Sequence, residues 1–62
     1  MKIYYVTREI DKGTIGYARA TWDGPFTTEG RARFALDRAK TSKPQFDFVV
    51  EVEDETGEIT DL

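Results

Sequence analysis

The side chains that could do chemistry in this chain are mainly carboxylates near its C-terminal end. Residues 45–62 contain seven Asp or Glu residues and no Lys or Arg, which gives this segment a net charge of −7. Residues 1–28 carry a net charge of +1 and residues 29–44 a net charge of +3, so the whole chain has a formal net charge of −3. This separation of charge is the most unusual feature of the sequence, and it indicates an acidic surface that can meet a basic partner.

Groups suited to catalysis are scarce. The chain has no His and no Cys, which excludes a Ser-His-Asp triad, a Cys nucleophile and a zinc finger. Ser42 is the only serine, and nothing in the sequence places a base beside it. Acid–base catalysis by two carboxylates needs an apolar cleft that raises the pKa of one of them. A chain of 62 residues leaves little volume for such a cleft. We therefore expect a protein that is not an enzyme, without a cofactor or a small-molecule substrate.

Two short motifs have spacings found at ligand sites. The acidic turn at residues 54–58 offers oxygen atoms and a glycine to Ca²⁺, but it does not match the spacing of an EF-hand loop. Gly13 and Gly16 have the GxxG spacing of a nucleic-acid clamp, which joins two helices, whereas these glycines flank a predicted hairpin. Ordinary turns explain both motifs, and we expect no metal site.

The distribution of apolar residues helps to predict where in the cell the protein acts. No window approaches the roughly 18 consecutive apolar residues of a membrane span. The first residues lack the long apolar run and the small-residue cleavage site of a signal peptide. Together with the absence of cysteine, this predicts a cytoplasmic protein with no membrane partner.

The first half of the chain predicts a β-hairpin. Residues 2–10 are rich in β-forming side chains and predict the first strand, although the pattern leaves open which of its two faces is buried. The turn residues 11–14 lead to a second strand predicted over residues 15–22. The sequence Asp23-Gly24-Pro25 predicts the end of that strand, because proline cannot donate to the ladder. Small residues on one face of the second strand predict the close approach of a helix.

The middle of the chain predicts one helix. Thr27 or Thr28 can cap its first free N–H groups. The sequence Lys43-Pro44 predicts its end, because a residue before proline avoids the α region. The apolar stripe follows the i, i+3, i+4, i+7 spacing and consists of Ala32, Ala35, Leu36 and Ala39.

The last segments predict one strong strand and one short one. In residues 46–53 every second side chain is apolar, and the positions between are acidic apart from Val49. The first set is predicted in the core, and the second faces solvent or a partner. The predicted core positions are Phe46, Phe48, Val50 and Val52. A turn at 54–57 and a short strand at 58–60 follow. The predicted fold is a small two-layer α+β domain of ββαβ(β) type that spans residues 1–62. One helix covers an antiparallel sheet of three or four strands, in the order 2-1-3 or 2-1-3-4.

Three interpretations of the acidic segment stay open. It can be a solvated face that keeps the protein soluble, or a set of charges that prevents edge strands from aggregating. It can also be a binding surface, because alternate side chains on a strand stand about 6.6 Å apart and form an ordered row of charge. Such a row fits a basic groove that normally binds a nucleic-acid backbone.

In size and charge the chain is similar to small accessory proteins of phages and mobile elements, which often cover a basic site on a host enzyme or defence complex. We therefore expect a non-enzymatic inhibitor or modulator of a larger protein, which acts in the host cytoplasm if a phage encodes it. The expected partner-binding residues are Asp47, Glu51, Glu53, Asp54, Glu55 and Glu58.

Two other functions remain as alternatives. In a nucleic-acid-binding domain, Tyr5 and Tyr17 would stack on bases. Arg8, Arg19 and Lys2 would lie near the phosphates, and the basic helix would contribute its Arg31-Phe34-Arg38 stripe. In a self-associating structural subunit, a homodimer would form through the open sheet face. Its contact patch would comprise Tyr5, Tyr17 and Val49.

Overall fold

Four strands and one helix make up the structure, a computed structural model that describes all 62 residues. The elements are β1 (Ile3–Ile10), β2 (Ala18–Phe26), α1 (Glu29–Ser42), β3 (Asp47–Glu53) and β4 (Ile59–Asp61). All strand pairs are antiparallel and the sheet order is β2-β1-β3-β4. The predicted two-layer α+β fold is confirmed in its four-stranded form.

The pairing of β1 with β3 settles which face of β1 is buried. Val6 lies opposite Val50 on β3, and both side chains are buried on the side that α1 covers. Val6 packs against Ala35 and Ala39 of the helix. Because side chains alternate along a strand, Tyr5 lies on the other side of the sheet, which no element covers. That side is called the open face below.

The helix begins after Thr28, one of the two predicted caps. The Thr28 hydroxyl oxygen accepts a hydrogen bond from the backbone N–H of Arg31 at 3.3 Å. The predicted stripe faces the sheet, with three alanines buried and Leu36 half-buried. Alanine side chains are short, so the helix backbone lies close to the sheet. The 14-residue helix is neither long enough nor apolar enough to cross a membrane.

The boundaries of β2 differ from the prediction at both ends. The turn before it runs to Tyr17, whose backbone N–H donates to the carbonyl of Thr14 at 3.2 Å. The strand then continues through Gly24 and Pro25, joined by a cis peptide bond, to Phe26. The predicted end at residues 23–25 was wrong because β2 is an edge strand, where a missing N–H costs no ladder hydrogen bond. The register also shifts near Asp23, which marks a bulge.

Gly24 is the one position in β2 that requires glycine. Its φ is +126°, and a Cβ atom there would lie 3.1 Å from the Tyr4 carbonyl oxygen. We expect Gly24→Ala to lower the free energy of unfolding by about 1–3 kcal/mol, measured by urea denaturation. Gly30→Ala is the control, because a Cβ on this helical residue meets nothing within 4 Å. The control should leave stability unchanged or raise it by up to about 1 kcal/mol; similar losses in both variants would contradict the argument.

The helix leaves much of β2 uncovered. Every residue of β2 from Ala18 to Pro25 is exposed, whereas β1 and β3 are half-buried or buried over most of their length. Trp22 turns toward the helix side, where its ring meets the Phe48 ring edge-on at 5.1 Å between centroids. The Arg8 guanidinium lies on the same side, 3.6 Å above the Phe46 ring. The expectation that Arg8 shares a surface with Tyr5 is therefore wrong.

Candidate binding surfaces

The first candidate surface is the acidic turn, defined here as residues 53–58. Oδ1 of Asp54 accepts hydrogen bonds from the Thr56 hydroxyl at 2.6 Å, the Thr56 backbone N–H at 2.9 Å and the Glu58 backbone N–H at 3.1 Å. These bonds, the Thr56 hydroxyl first, hold the pKa of Asp54 below its usual value. Asp54 was predicted to contact a partner; Oδ1 of its carboxylate organises the turn, and its contact with a partner stays a prediction.

Three other carboxylates of the acidic turn remain available to a partner. Glu53 is half-buried at the end of β3, while Glu55 and Glu58 are exposed. Glu55 pairs with the N-terminal ammonium group at 3.1 Å, and because both groups are exposed the pair is weak. Glu53 and Glu58 form no ion pair. Asp47 begins β3 at its other end, about 20 Å away along the strand, so it lies apart from this surface.

The second candidate surface is the open face, where Arg19 gathers the carboxylates of three other strands. Its Nη1 donates to Glu51 at 2.9 Å and to Asp61 at 2.7 Å, and its Nη2 donates to Asp61 at 3.0 Å. Its Nε donates to the Tyr17 hydroxyl, which in turn donates to Glu9 at 2.7 Å. We call these five residues the Arg19 cluster. The cluster includes one residue from each of the four strands, and Tyr17 lies directly before β2.

Hydrogen bonds within the Arg19 cluster shift the pKa values of three of its members. The hydrogen bond with Asp61 is the main cause that raises the pKa of Arg19, and the same bond lowers the pKa of Asp61. The Tyr17 hydroxyl lowers the pKa of Glu9. Beneath the cluster, the buried Thr7 hydroxyl donates to the second oxygen of Glu51 at 2.9 Å. Each of these groups is therefore committed to a partner within the chain.

The Arg19 cluster changes the interpretation of several predicted site residues. Glu51 was predicted to stand in a free row of charge, but Arg19 and Thr7 hold its two oxygens. Tyr17 and Arg19, predicted to contact nucleic acid, already bind carboxylates. A phosphate group could reach Arg19 only by displacing them.

The predicted dimer patch on the open face is interrupted by the same charges. Tyr5 and Val49 do share this face, because each lies in the strand phase opposite to the buried Val6 and Val50. Both are half-buried, and Tyr17 is exposed but tied to the Arg19 cluster through its hydroxyl. The apolar part of the open face is therefore small.

The third candidate surface is a groove between α1 and β2, called the α1–β2 groove below. Two shallow pockets of about 300 and 240 Å³ lie along it and share Asp23, Ala35 and Arg38. Arg31 and Phe34 line the larger pocket, so the Arg31-Phe34-Arg38 stripe predicted on the helix borders this groove. The sequence indicated the stripe, but not the uncovered strand beside it.

The structure contains no group of three or more Asp and Glu side chains placed to hold a metal ion. No family model matches the chain, and neither a curated protein nor a solved structure is significantly similar to it. The function is therefore argued from the three surfaces themselves.

Proposed function

We propose that this protein is a non-enzymatic binding protein that inhibits or modulates a larger protein by covering a basic, nucleic-acid-handling surface with the acidic turn. The observation that carries the proposal is the set of three hydrogen bonds to the Asp54 carboxylate. They fix the backbone from which Glu55 and Glu58 project. A pre-organised surface loses less conformational entropy on binding than a flexible acidic tail does.

The charge distribution favours the acidic turn, rather than the rest of the acidic segment, as the binding surface. Arg19 compensates Glu51 and Asp61 on the open face. Near the acidic turn the positive charges are the exposed N-terminal ammonium group and Lys2, which acts on Asp54. The turn is thus a local concentration of negative charge, and such a concentration steers a basic partner and speeds association.

Binding is favoured over catalysis by the position of the cavities. All three pockets of the structure lie along α1, and none lies at the acidic turn. The molecule is also thin, with extents of 32 × 26 × 13 Å, a shape suited to covering a partner's surface. The similarity in size and charge to accessory proteins of phages supports an inhibitory role in the cytoplasm of a host. A basic enzyme or defence complex that binds DNA or RNA is the proposed target.

The proposal predicts the effect of removing the free carboxylates. We expect the triple variant Glu53→Gln, Glu55→Gln, Glu58→Gln to fold and to bind its target at least about tenfold more weakly, since close charge pairs at interfaces contribute about 1.5–7 kcal/mol each. The measurement is affinity capture from an extract of the cells that produce the protein, followed by titration with the captured target. Wild-type protein should also displace nucleic acid from that target in a gel-shift assay.

A second triple variant, Asp11→Asn, Asp37→Asn, Asp47→Asn, is the matched control. It removes the same formal charge from positions outside the acidic turn and should bind the target as the wild type does. Equal weakening by the two variants would mean that net charge, not the acidic turn, drives binding. A captured target that does not bind nucleic acid would refute the proposed mode of inhibition.

A further inference from the structure

We infer that the α1–β2 groove is a second binding site, which takes an extended segment of a partner protein with an apolar side chain between two acidic residues. The segment would pair with the free edge of β2 and direct its apolar side chain into the groove. The site lies at the β2 edge of the sheet, whereas the acidic turn joins β3 to β4 at the other edge. The inference therefore does not depend on the proposed function of that turn.

The free edge of β2 is the first observation. β2 ends the sheet and is bonded to β1 alone; its register is regular from Ala18 to Thr21 and shifts near Asp23, one of the β2 residues that line the groove. Its outer edge presents unpaired N–H and C=O groups to solvent. Peptides commonly bind such an edge as an additional strand, with main-chain hydrogen bonds that supply affinity and side-chain pockets that supply specificity.

The apolar surface beside this edge is the second observation. Trp22 is 42% exposed and Phe34 is 66% exposed, although both are large apolar side chains. Phe34 lines one pocket of the groove, Trp22 lines the other, and Ala35 lines both. The pocket volumes, about 300 and 240 Å³, lie at or below the lower end of the range for small-molecule sites, roughly 300–1,000 Å³. They are better suited to single side chains of a peptide.

The unpaired arginines on the helix are the third observation. Arg31 and Arg38 line the groove and form no ion pair, whereas Arg33 on another face of α1 binds Glu29 at 2.8 Å. Seven residues separate Arg31 from Arg38, about 10.5 Å along the helix axis. On a strand, residues i and i+4 point the same way about 13 Å apart, within reach of two long arginine side chains. An acidic residue on each side of an apolar one therefore complements the groove.

A peptide fits this site better than nucleic acid does. Asp23 lines both pockets, and its carboxylate repels phosphates and peptide carboxylates alike, as does the net charge of −3, so charge does not separate the two ligands. The β2 edge separates them, because it offers main-chain groups that a peptide matches and an oligonucleotide does not.

The test uses the synthetic peptide acetyl-Gly-Glu-Val-Phe-Val-Glu-Gly-amide as its probe. Both glutamates and the phenylalanine of the probe share one face of a strand. Trp22 is the only tryptophan of the chain and lines the groove, so its fluorescence reports binding. We expect saturable binding, and slower amide hydrogen exchange in β2 around Trp22 and Asp23, which line the groove, when the probe is bound. A probe with lysine in place of both glutamates should not bind.

Two charge-reversal variants locate the site. Arg31→Glu with Arg38→Glu should weaken probe binding at least about tenfold, the effect of losing about 1.4 kcal/mol. Arg33→Glu with Lys40→Glu changes the net charge equally on another part of α1 and should leave binding unchanged. Both variants alter exposed residues, and circular dichroism checks their folding. If the Arg31 and Arg38 reversal unfolds the chain, the milder Arg31→Gln with Arg38→Gln serves in its place.

Five results would overturn the inference. The lysine probe could bind the wild-type protein as the glutamate probe does. The Arg31 and Arg38 variant could bind the glutamate probe as the wild type does. The amides of β2 could show no added protection when the probe is bound. A twelve-nucleotide poly-dT strand could bind more tightly than the peptide, which would make the groove a nucleic-acid site. Light scattering could show a dimer that the Arg31 and Arg38 variant abolishes, which would make a second copy the occupant. The triple variant of the acidic turn should bind the probe normally.

Discussion

Replacing Val50 with Asp is expected to abolish cooperative folding. Val50 is 4% exposed and lies opposite the fully buried Val6, under α1. An unpaired carboxylate in this position costs several kcal/mol. A domain of this size has a total stability of roughly 3–9 kcal/mol, at 0.05–0.15 kcal/mol per residue. Thermal denaturation followed by circular dichroism should show no cooperative transition for Val50→Asp at neutral pH.

The neighbouring residue Val49 provides the control for this experiment. Its side chain points to the open face and is half-buried without a covering element. Val49→Asp should keep a cooperative transition at a moderately lower midpoint. If both variants lost the transition equally, another element or a second copy would have to cover the open face.

Replacing Arg19 with Met is expected to give the second-largest loss of stability. The side chain of Arg19 is 30% exposed and holds Glu51 and Asp61 together across the open face. Methionine keeps much of the unbranched stem of the side chain but none of its hydrogen bonds. Glu51 then remains half-buried with only Thr7 to bind it, which leaves a partly desolvated charge without its counterion. The melting temperature should fall by several degrees, and Arg33→Met, which removes an exposed helix pair, should change it little.

The same substitution should change how stability depends on pH. Arg19 lowers the pKa of Asp61 below its usual value of 3.8 in the folded state, so this carboxylate contributes stability above that pH. The contribution is lost as the pH falls through the lower folded-state value. Wild-type protein should therefore lose stability as the pH falls below about 4. Arg19→Met should lose less over that range, measured by urea denaturation at a series of pH values; an unchanged slope would mean that Arg19 does not hold Asp61.

The fold was predictable where the side-chain pattern admits one solution. Residues 46–53 place apolar side chains at every second position, so their buried face followed directly. In β1 both faces carry apolar residues, and only the pairing of Val6 with Val50 decides between them. The end of β2 was predicted wrongly for a different reason. Proline ends a central strand but not an edge strand, and the predicted order 2-1-3 or 2-1-3-4 already placed this strand at the edge.

The binding surfaces were predictable only in part, because charge composition does not reveal pairing. The carboxylates at positions 51 and 61 look equivalent to their neighbours in the sequence, yet Arg19 lies 32 and 42 residues away from them and binds both. By contrast, the turn at Asp54 was predictable from local chemistry, since Asp followed by Thr and Gly favours a turn closed by side-chain hydrogen bonds. The α1–β2 groove depends on how far the helix extends over the sheet, which no local pattern determines.

The sheet order has a consequence for the folding pathway. The pairs β1–β2 and β3–β4 join segments that are close in the chain, whereas β1–β3 joins segments separated by β2 and α1. Bringing β1 to β3 closes the largest loop, and the entropy of that closure precedes the burial of Val6 against Val50. The capped, alanine-rich α1 shortens this loop as it forms. We therefore expect the docking of β3 on β1 to limit the folding rate. We expect the Arg19 contacts, which need all four strands in place, to act mainly by slowing unfolding.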